Sequence, residues 1–212
     1  MNYFYNIKVR KILVSLLNIL CIFLISFINS IKRLKIGVIG VSHQVNIGNN
    51  LIKYAIFMKL SELGFEPYII GTHYKNYNIT FIKKTTNLII IKNNFSEIKK
   101  NDYDILMVNS DQTWRKFDKY FYDCAFLKFS EDWNIRKFIY GASLGFDYWT
   151  LNSKDEAIAK KLLKNFTGIS FREKGSIKLI EKHLKIKPFF VIDPTLLIEK
   201  QYYLTILYLN IY

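Results

Sequence analysis

The chain has 212 residues, half of them hydrophobic, and a formal net charge of +14 at pH 7. This length supports one sizeable core, and the hydrophobic content excludes an intrinsically disordered chain. Cys21 and Cys124 give no disulfide framework, and three histidines without ligand spacing argue against a structural zinc site. The basic charge favours an anionic partner, namely a membrane surface, a nucleic acid or a phosphorylated substrate, or it serves solubility alone.

Residues 1–33 are predicted to form a separate membrane-associating helix. The stretch 12–28 is largely apolar, basic residues flank it on both sides, and the first acidic residue of the chain is Glu62. Its few polar residues recur at intervals of three and four, which places them on one narrow stripe of a helix. Such a helix lies in the membrane plane, spans the bilayer or packs on its own domain, and the narrow stripe favours the first. We therefore expect a peripheral or single N-terminal anchor on the cytoplasmic face of the membrane.

From residue 34 onward, short apolar runs alternate with segments of helical spacing. Continuous apolar runs are typical of strands in a parallel sheet that is covered on both faces. The pattern predicts an α/β fold with a Rossmann-like, doubly wound and mainly parallel sheet over residues 34–197. The predicted strands are Leu34–Ile39, Pro67–Ile70, Leu88–Ile91, Ile105–Val108, Phe138–Tyr140, Ile169–Phe171 and Phe189–Ile192. The predicted helices are Asn50–Leu63, Asp155–Phe166 and Lys174–Leu184.

The polar run between the first predicted strand and the first predicted helix is a candidate binding site. It contains Asn46, Gly48, Asn49 and Asn50, and His43 precedes it as a weaker candidate. The N–H groups and positive dipole end of a helix N-terminus attract anions, and glycine lets the backbone approach a ligand closely. The run matches neither a dinucleotide-binding nor a P-loop pattern. Simple capping of the helix by an asparagine is the alternative interpretation.

Polar residues directly after the later strands are further candidates, because ligands of doubly wound sheets bind beyond the carboxyl ends of the strands. These candidates are Asp111, Gln112, Trp114, Ser143 and Arg172. A guanidinium at this edge is a good fork for phosphate or carboxylate, although Arg172 could instead pair with Glu173 or Asp193 as scaffold. Likewise, Asp111 could cap a turn and Trp114 could belong to the core.

Five segments, in this order, resemble the polysaccharide pyruvyl transferase family. They are Asn46–Leu51, Val108–Trp114, Tyr140–Gly145, Ile169–Gly175 and Val191–Leu197. The resemblance spans about residues 34–197 and implies the N-terminal half of a GT-B-like pair of Rossmann-like domains, with the site in the cleft between them. It implies transfer of the enolpyruvyl unit of phosphoenolpyruvate to a sugar hydroxyl pair during cell-surface polysaccharide biosynthesis.

The resemblance also implies partners and roles. Phosphoenolpyruvate is the donor substrate, no other cofactor or metal is expected, and the acceptor is a glycan or lipid-linked sugar rather than a nucleic acid. Arg172 is expected to contact phosphoenolpyruvate, the loop at Gly48 to form a second anion or sugar site, and Trp114 to stack on a sugar. Hydrogen bonds to sugar hydroxyls are expected from three residues: Asn46, Asp111 and Gln112.

Family members carry a second Rossmann-like domain, and residues 198–212 resemble only a lead-in to it or out-of-register sequence. We therefore expect a truncated transferase that is inactive or weakly active alone, with a tail that packs poorly or lies against the cleft side. A non-catalytic glycan- or anion-binding module at the membrane is the alternative hypothesis. A flavodoxin-like carrier is disfavoured, since the loops lack a flavin pattern and the charge is basic.

Overall fold

The computed structural model describes residues 32–40, 47–72, 86–91, 94–109, 112–114 and 121–209. The chain divides into two units between Arg33 and Leu34. The predicted membrane-associating helix falls almost wholly outside the described residues, so it remains a prediction. Among the helices that the structure describes, none is both long and apolar enough to cross a membrane.

Seven parallel strands of the described chain form one sheet in the order β3-β2-β1-β4-β5-β6-β7. The chain builds outward from β1 to β3, returns to place β4 beside β1, and then builds outward in the other direction. This is the strand order of a Rossmann-like doubly wound sheet, and it confirms the predicted α/β class. The strands are β1 Lys35–Ile39, β2 Glu66–Thr72, β3 Leu88–Ile91, β4 Ile105–Val108, β5 Arg136–Ala142, β6 Gly168–Phe171 and β7 Phe189–Phe190.

α-Helices connect β1 to β2, β4 to β5, β5 to β6 and β6 to β7, and short 3-10 turns lie at Phe95–Glu97, Lys128–Ser130 and Pro194–Leu196. The α-helices are α1 Ile47–Glu62, α2 Phe121–Phe126, α3 Ser153–Leu163, α4 Lys174–Leu184 and α5 Lys200–Leu209. All the predicted strands and helices are present, whereas α2 and α5 were not predicted.

The sheet is covered by apolar side chains on both faces, as its continuous hydrophobic strands require. Successive residues of a strand point to opposite faces. Accordingly, Val38 packs in the cluster under α1, whereas Ile39 belongs to the larger cluster that includes residues of α2, α3 and α4. In β4, Ile105 likewise packs in the cluster under α1, and Leu106 belongs to the larger cluster.

The C-terminal helix α5 packs against α1. Ile206 of α5 and Ile198 bury their side chains against Tyr54 and Ala55 of α1. Because Ile206 is only 5% exposed, the expectation that this tail packs poorly is wrong for its described part. The tail also supports the preceding turn, since the Tyr203 hydroxyl donates to the Thr195 carbonyl oxygen at 2.7 Å.

Candidate active site

The carboxyl ends of β1, β4, β5 and β6 lie at one edge of the sheet. These four strands are parallel neighbours, so their carboxyl ends lie side by side. Hydrogen bonds extend the pairing beyond the strands: the Arg172 N–H donates to the Ala142 carbonyl at 3.3 Å, and the Val191 N–H donates to the Phe171 carbonyl at 3.1 Å. The segments that carry Ser143, Arg172 and Asp193 are thereby brought together.

The N-terminus of α1 opens toward this edge. Helix α1 begins at Ile47, so Gly48, Asn49 and Asn50 all lie in its first turn, which holds no acidic residue. The partial positive charge of a helix N-terminus is therefore not offset by a carboxylate of the same turn. His43 and Asn46 lie outside the described residues, and their roles stay predictions.

Asn109, the first residue after β4, belongs to the segment Val108–Trp114 but was given no role of its own from the sequence. Its side chain is buried, and it lies so close to Gly40 that a Cβ there would come within 3.0 Å of Nδ2. Its Oδ1 is buried and makes no hydrogen bond within the part of the chain that the structure describes. A buried carbonyl oxygen without a donor is costly, so this atom is suited to accept a hydrogen bond from a ligand. The sequence feature that points to Asn109 as a site residue is its position directly after a predicted strand.

Gln112 lies exposed on the loop after β4, and Asp111 beside it is outside the described residues. The Gln112 side chain packs on Gly145, where a Cβ would come within 2.9 Å of the Gln112 Cδ. Gly145 has φ +71°, a conformation that side chains rarely adopt. The loops after β4 and β5 are therefore in direct contact at a position that requires glycine.

Trp114 does not belong to the exposed surface of this edge. Its side chain is 1% exposed and packs edge-on against Phe126 and Phe171, with ring centroids at 4.7 and 5.2 Å. An indole buried between two rings has no open face for a sugar. The predicted sugar-stacking role of Trp114 is therefore wrong, and its alternative interpretation as a core residue fits.

Ser143 is fully buried in a hydrogen-bonded cluster. Its hydroxyl lies 2.9 Å from Oε1 of Glu173, to which it donates, and it accepts from the Gly145 N–H at 2.9 Å. Ser176 donates to the other carboxylate oxygen of Glu173 at 2.8 Å. The cluster ties the β5 loop to the start of α4. The prediction that Ser143 binds substrate required its side chain to face a ligand. Instead, the buried hydroxyl positions Glu173 and the loop after β5.

Arg172 lies at the end of β6 and pairs with Asp193. Its Nη1 donates to Asp193 Oδ2 at 2.7 Å, with side-chain exposures of 18% for Arg172 and 31% for Asp193. Asp193 is itself held in place, because Oδ1 accepts from the backbone N–H and the hydroxyl of Thr195 at 2.9 and 2.7 Å. Arg172 therefore makes the ion pair that the scaffold interpretation expected. This pair holds the guanidinium, a planar and partly exposed group of N–H donors, in a fixed position at the edge.

Comparison with known families decides the identity of the chain. The sequence profile for polysaccharide pyruvyl transferases matches residues 46–208. The chain belongs to the polysaccharide pyruvyl transferase family. The match begins just before α1, includes each described candidate and ends within α5, which confirms the resemblance. No curated protein matches the chain significantly.

In this pyruvyl transferase family member, two tyrosine hydroxyls lie near the Arg172–Asp193 pair. Burial and the negative charge of Asp193 raise the pKa of Tyr140 and of Tyr203. Both phenols are therefore neutral around pH 7, and Tyr140 donates to the Ile192 carbonyl oxygen at 3.5 Å. They support the Asp193 segment as hydrogen-bond donors without adding charge.

Proposed function

We propose that this protein transfers the enolpyruvyl unit of phosphoenolpyruvate onto two hydroxyls of one sugar in a cell-surface glycan. Membership of the polysaccharide pyruvyl transferase family supports pyruvyl transfer to a polysaccharide, and it implies a glycan acceptor. One observation supports phosphoenolpyruvate as the donor substrate: the guanidinium of Arg172 is fixed and partly exposed at the carboxyl edge of the sheet. Such a fork suits the phosphate or the carboxylate of phosphoenolpyruvate.

The chemistry of the transfer explains why cationic and N–H groups are needed. The methylene carbon of phosphoenolpyruvate gains a proton, and the adjacent carbon becomes electrophilic. One sugar oxygen bonds to that carbon as its hydroxyl loses its proton. The second sugar oxygen then bonds to the same carbon, the bond from that carbon to the phosphate oxygen breaks, and the second hydroxyl proton leaves with the phosphate. The products are a pyruvate ketal and inorganic phosphate. Donors aimed at the departing phosphate stabilise the charge that develops there, which is the role we propose for Arg172.

The neighbouring loops supply the remaining contacts in this proposal. The first turn of α1, with Gly48, Asn49 and Asn50, binds a second anionic group or a sugar oxygen. The buried Oδ1 of Asn109 accepts a hydrogen bond from an acceptor hydroxyl. Asn46, Asp111 and Gln112 are proposed to bind further hydroxyls.

We further propose that a second α/β domain closes the site, as in a GT-B-like arrangement. The family resemblance supports this arrangement. Water at an open sheet edge screens charge–charge contacts and competes for hydrogen bonds. The described domain alone is therefore expected to bind phosphoenolpyruvate weakly and to turn over close to zero.

A transfer assay tests the proposal. The chain, alone and mixed with the C-terminal domain of another family member, is incubated with phosphoenolpyruvate and a bacterial polysaccharide. Phosphate release is measured, and the ketal methyl group is followed by proton NMR. We expect both products only in the mixture and not with Arg172→Gln. Ketal formation by the chain alone contradicts the two-domain requirement. If phosphoenolpyruvate or the polysaccharide binds but neither the chain alone nor the mixture forms products, the result contradicts transfer and supports a non-catalytic binding module.

A further inference from the structure

The loop after β5 presents two aromatic side chains at the candidate site. Phe146 is half-buried, Tyr148 is 59% exposed, and their ring centroids lie 5.1 Å apart with an interplanar angle of 32°. Asp147 is exposed between them. A tyrosine ring that is 59% exposed at the carboxyl edge of the sheet does not serve the core, because it contributes little burial there.

This aromatic loop is fixed at both ends. At its start, the Gly145 N–H donates to Ser143, and Gly145 contacts Gln112. At its end, Trp149 Nε1 donates to Glu156 of α3 at 2.6 Å. The Trp149 ring also stacks on His183 of α4 with centroids 4.5 Å apart and planes 8° from parallel. The half-buried ring of Phe146 and the exposed ring of Tyr148 therefore lie on a segment that is anchored at both ends.

We propose that Phe146 and Tyr148 form the platform on which the acceptor sugar stacks, with Asp147 and Gln112 binding its hydroxyls. This inference rests on the proposed function, because it takes the acceptor to be a sugar. The C–H face of a pyranose is apolar and faintly positive, which matches the negative face of an aromatic ring. A carboxylate accepts hydrogen bonds and a carboxamide both donates and accepts, as the hydroxyls around the sugar rim require.

The position of the platform fits that role. Gln112 and Gly145 join it to the loop after β4, and Ser143 joins it to Glu173, the neighbour of Arg172. A sugar on the platform therefore lies on the same edge as the proposed phosphoenolpyruvate contact. Tyr148 and Phe146 thus take the stacking role that the buried Trp114 is unable to fill.

Saturation-transfer NMR on the full chain tests the platform. The probes are the methyl glycosides of glucose, galactose, mannose and N-acetylglucosamine. We expect at least one to bind the parent, with the strongest transfer to its ring C–H protons. Tyr148→Ala should weaken that binding roughly tenfold, about the worth of one aromatic stacking contact. Tyr148→Phe keeps the ring and should bind like the parent. Phe189→Ala, which removes an exposed aromatic ring of β7, is the matched control and should also leave binding unchanged.

Calorimetry with phosphoenolpyruvate on the same variants separates this inference from the proposed function. Tyr148→Ala should keep the parent's Kd for phosphoenolpyruvate while it loses sugar binding. Asp147→Ala provides a second variant and should weaken sugar binding as well. Equal sugar binding by parent and Tyr148→Ala, or no sugar binding by the parent, overturns the platform. A parent that binds sugar through Tyr148 but not phosphoenolpyruvate supports the platform and contradicts the proposed donor.

Discussion

The sequence predicted which residues lie at the carboxyl edge of the sheet, but it did not predict all of their contacts. The rule that ligands bind after parallel strands selected Arg172, Gln112 and Ser143, and all three lie at that edge. Their contacts depend on distant partners: Arg172 meets Asp193, 21 positions later, and Ser143 meets Glu173, 30 positions later. Trp114 was misassigned because its burial depends on Phe126, which lies in a helix that the sequence pattern did not predict.

Tyr122 allows a pH-dependent prediction at the residue scale. Its hydroxyl donates to Asp155, and this hydrogen bond, followed by burial and the negative charge of Asp155, raises the tyrosine pKa from 10.0 to about 12. Folding therefore favours the neutral phenol. Its contribution to stability is complete below pH 10 and is lost as the pH rises toward about 12.

The variant Tyr122→Phe removes this hydroxyl and is compared with the parent by urea unfolding between pH 8 and pH 12. The parent should be the more stable protein at pH 8, and the difference in unfolding free energy should shrink above pH 10. A difference that stays constant up to pH 12 contradicts the role of the Tyr122–Asp155 hydrogen bond. Tyr148→Phe, at an exposed tyrosine, controls for general alkaline effects.

Elements were predictable where hydrophobic patterning was unambiguous. The strands appear as continuous apolar runs, and α1, α3 and α4 show helical spacing, so their existence followed from the sequence. Helix α2 has only 6 residues, too few to display a period, and α5 is apolar around most of its circumference. The tail was therefore not predicted as a helix, because its pattern lacks a polar face and its partner surface lies on α1.

The packing of α5 on α1 leads to a stability prediction at the element scale. Ile206→Ala should lower the free energy of unfolding by about 2–4 kcal/mol, because it leaves a cavity against Tyr54 and Ala55. Leu204→Ala, on the exposed part of the same helix, should cost less than about 1 kcal/mol. Urea denaturation followed by circular dichroism measures both. Equal, small losses for the two variants would show that α5 does not contribute to the core.

At the scale of the whole molecule, the sequence predicted the fold class and family, whereas the membrane anchor remains a proposal. The family match covers residues 46–208 and leaves the basic, apolar segment 1–33 outside it. We propose that this segment associates with the membrane. Its flanking positive charges attract anionic headgroups, and its apolar faces enter the interface.

Deletion of residues 1–33 should therefore move the protein from the membrane fraction to the soluble fraction. Flotation with vesicles that contain about one third anionic lipid measures this directly. The truncated protein should retain phosphoenolpyruvate binding, which controls for loss of folding. If the truncated protein floats with vesicles as well as the full chain does, the anchor hypothesis fails.

The central claim is that the carboxyl edge of the sheet binds phosphoenolpyruvate through Arg172, and calorimetric titration of the full chain tests it most directly. The parent should bind with a measurable Kd. Arg172→Ala should weaken binding at least about tenfold, as loss of a charged hydrogen-bond donor costs roughly 1.5–3 kcal/mol. Arg136→Ala, at the start of β5 on the opposite edge, removes the same charge and should bind like the parent. Equal affinity of Arg172→Ala and the parent, or loss of folding in Arg172→Ala, would contradict the account.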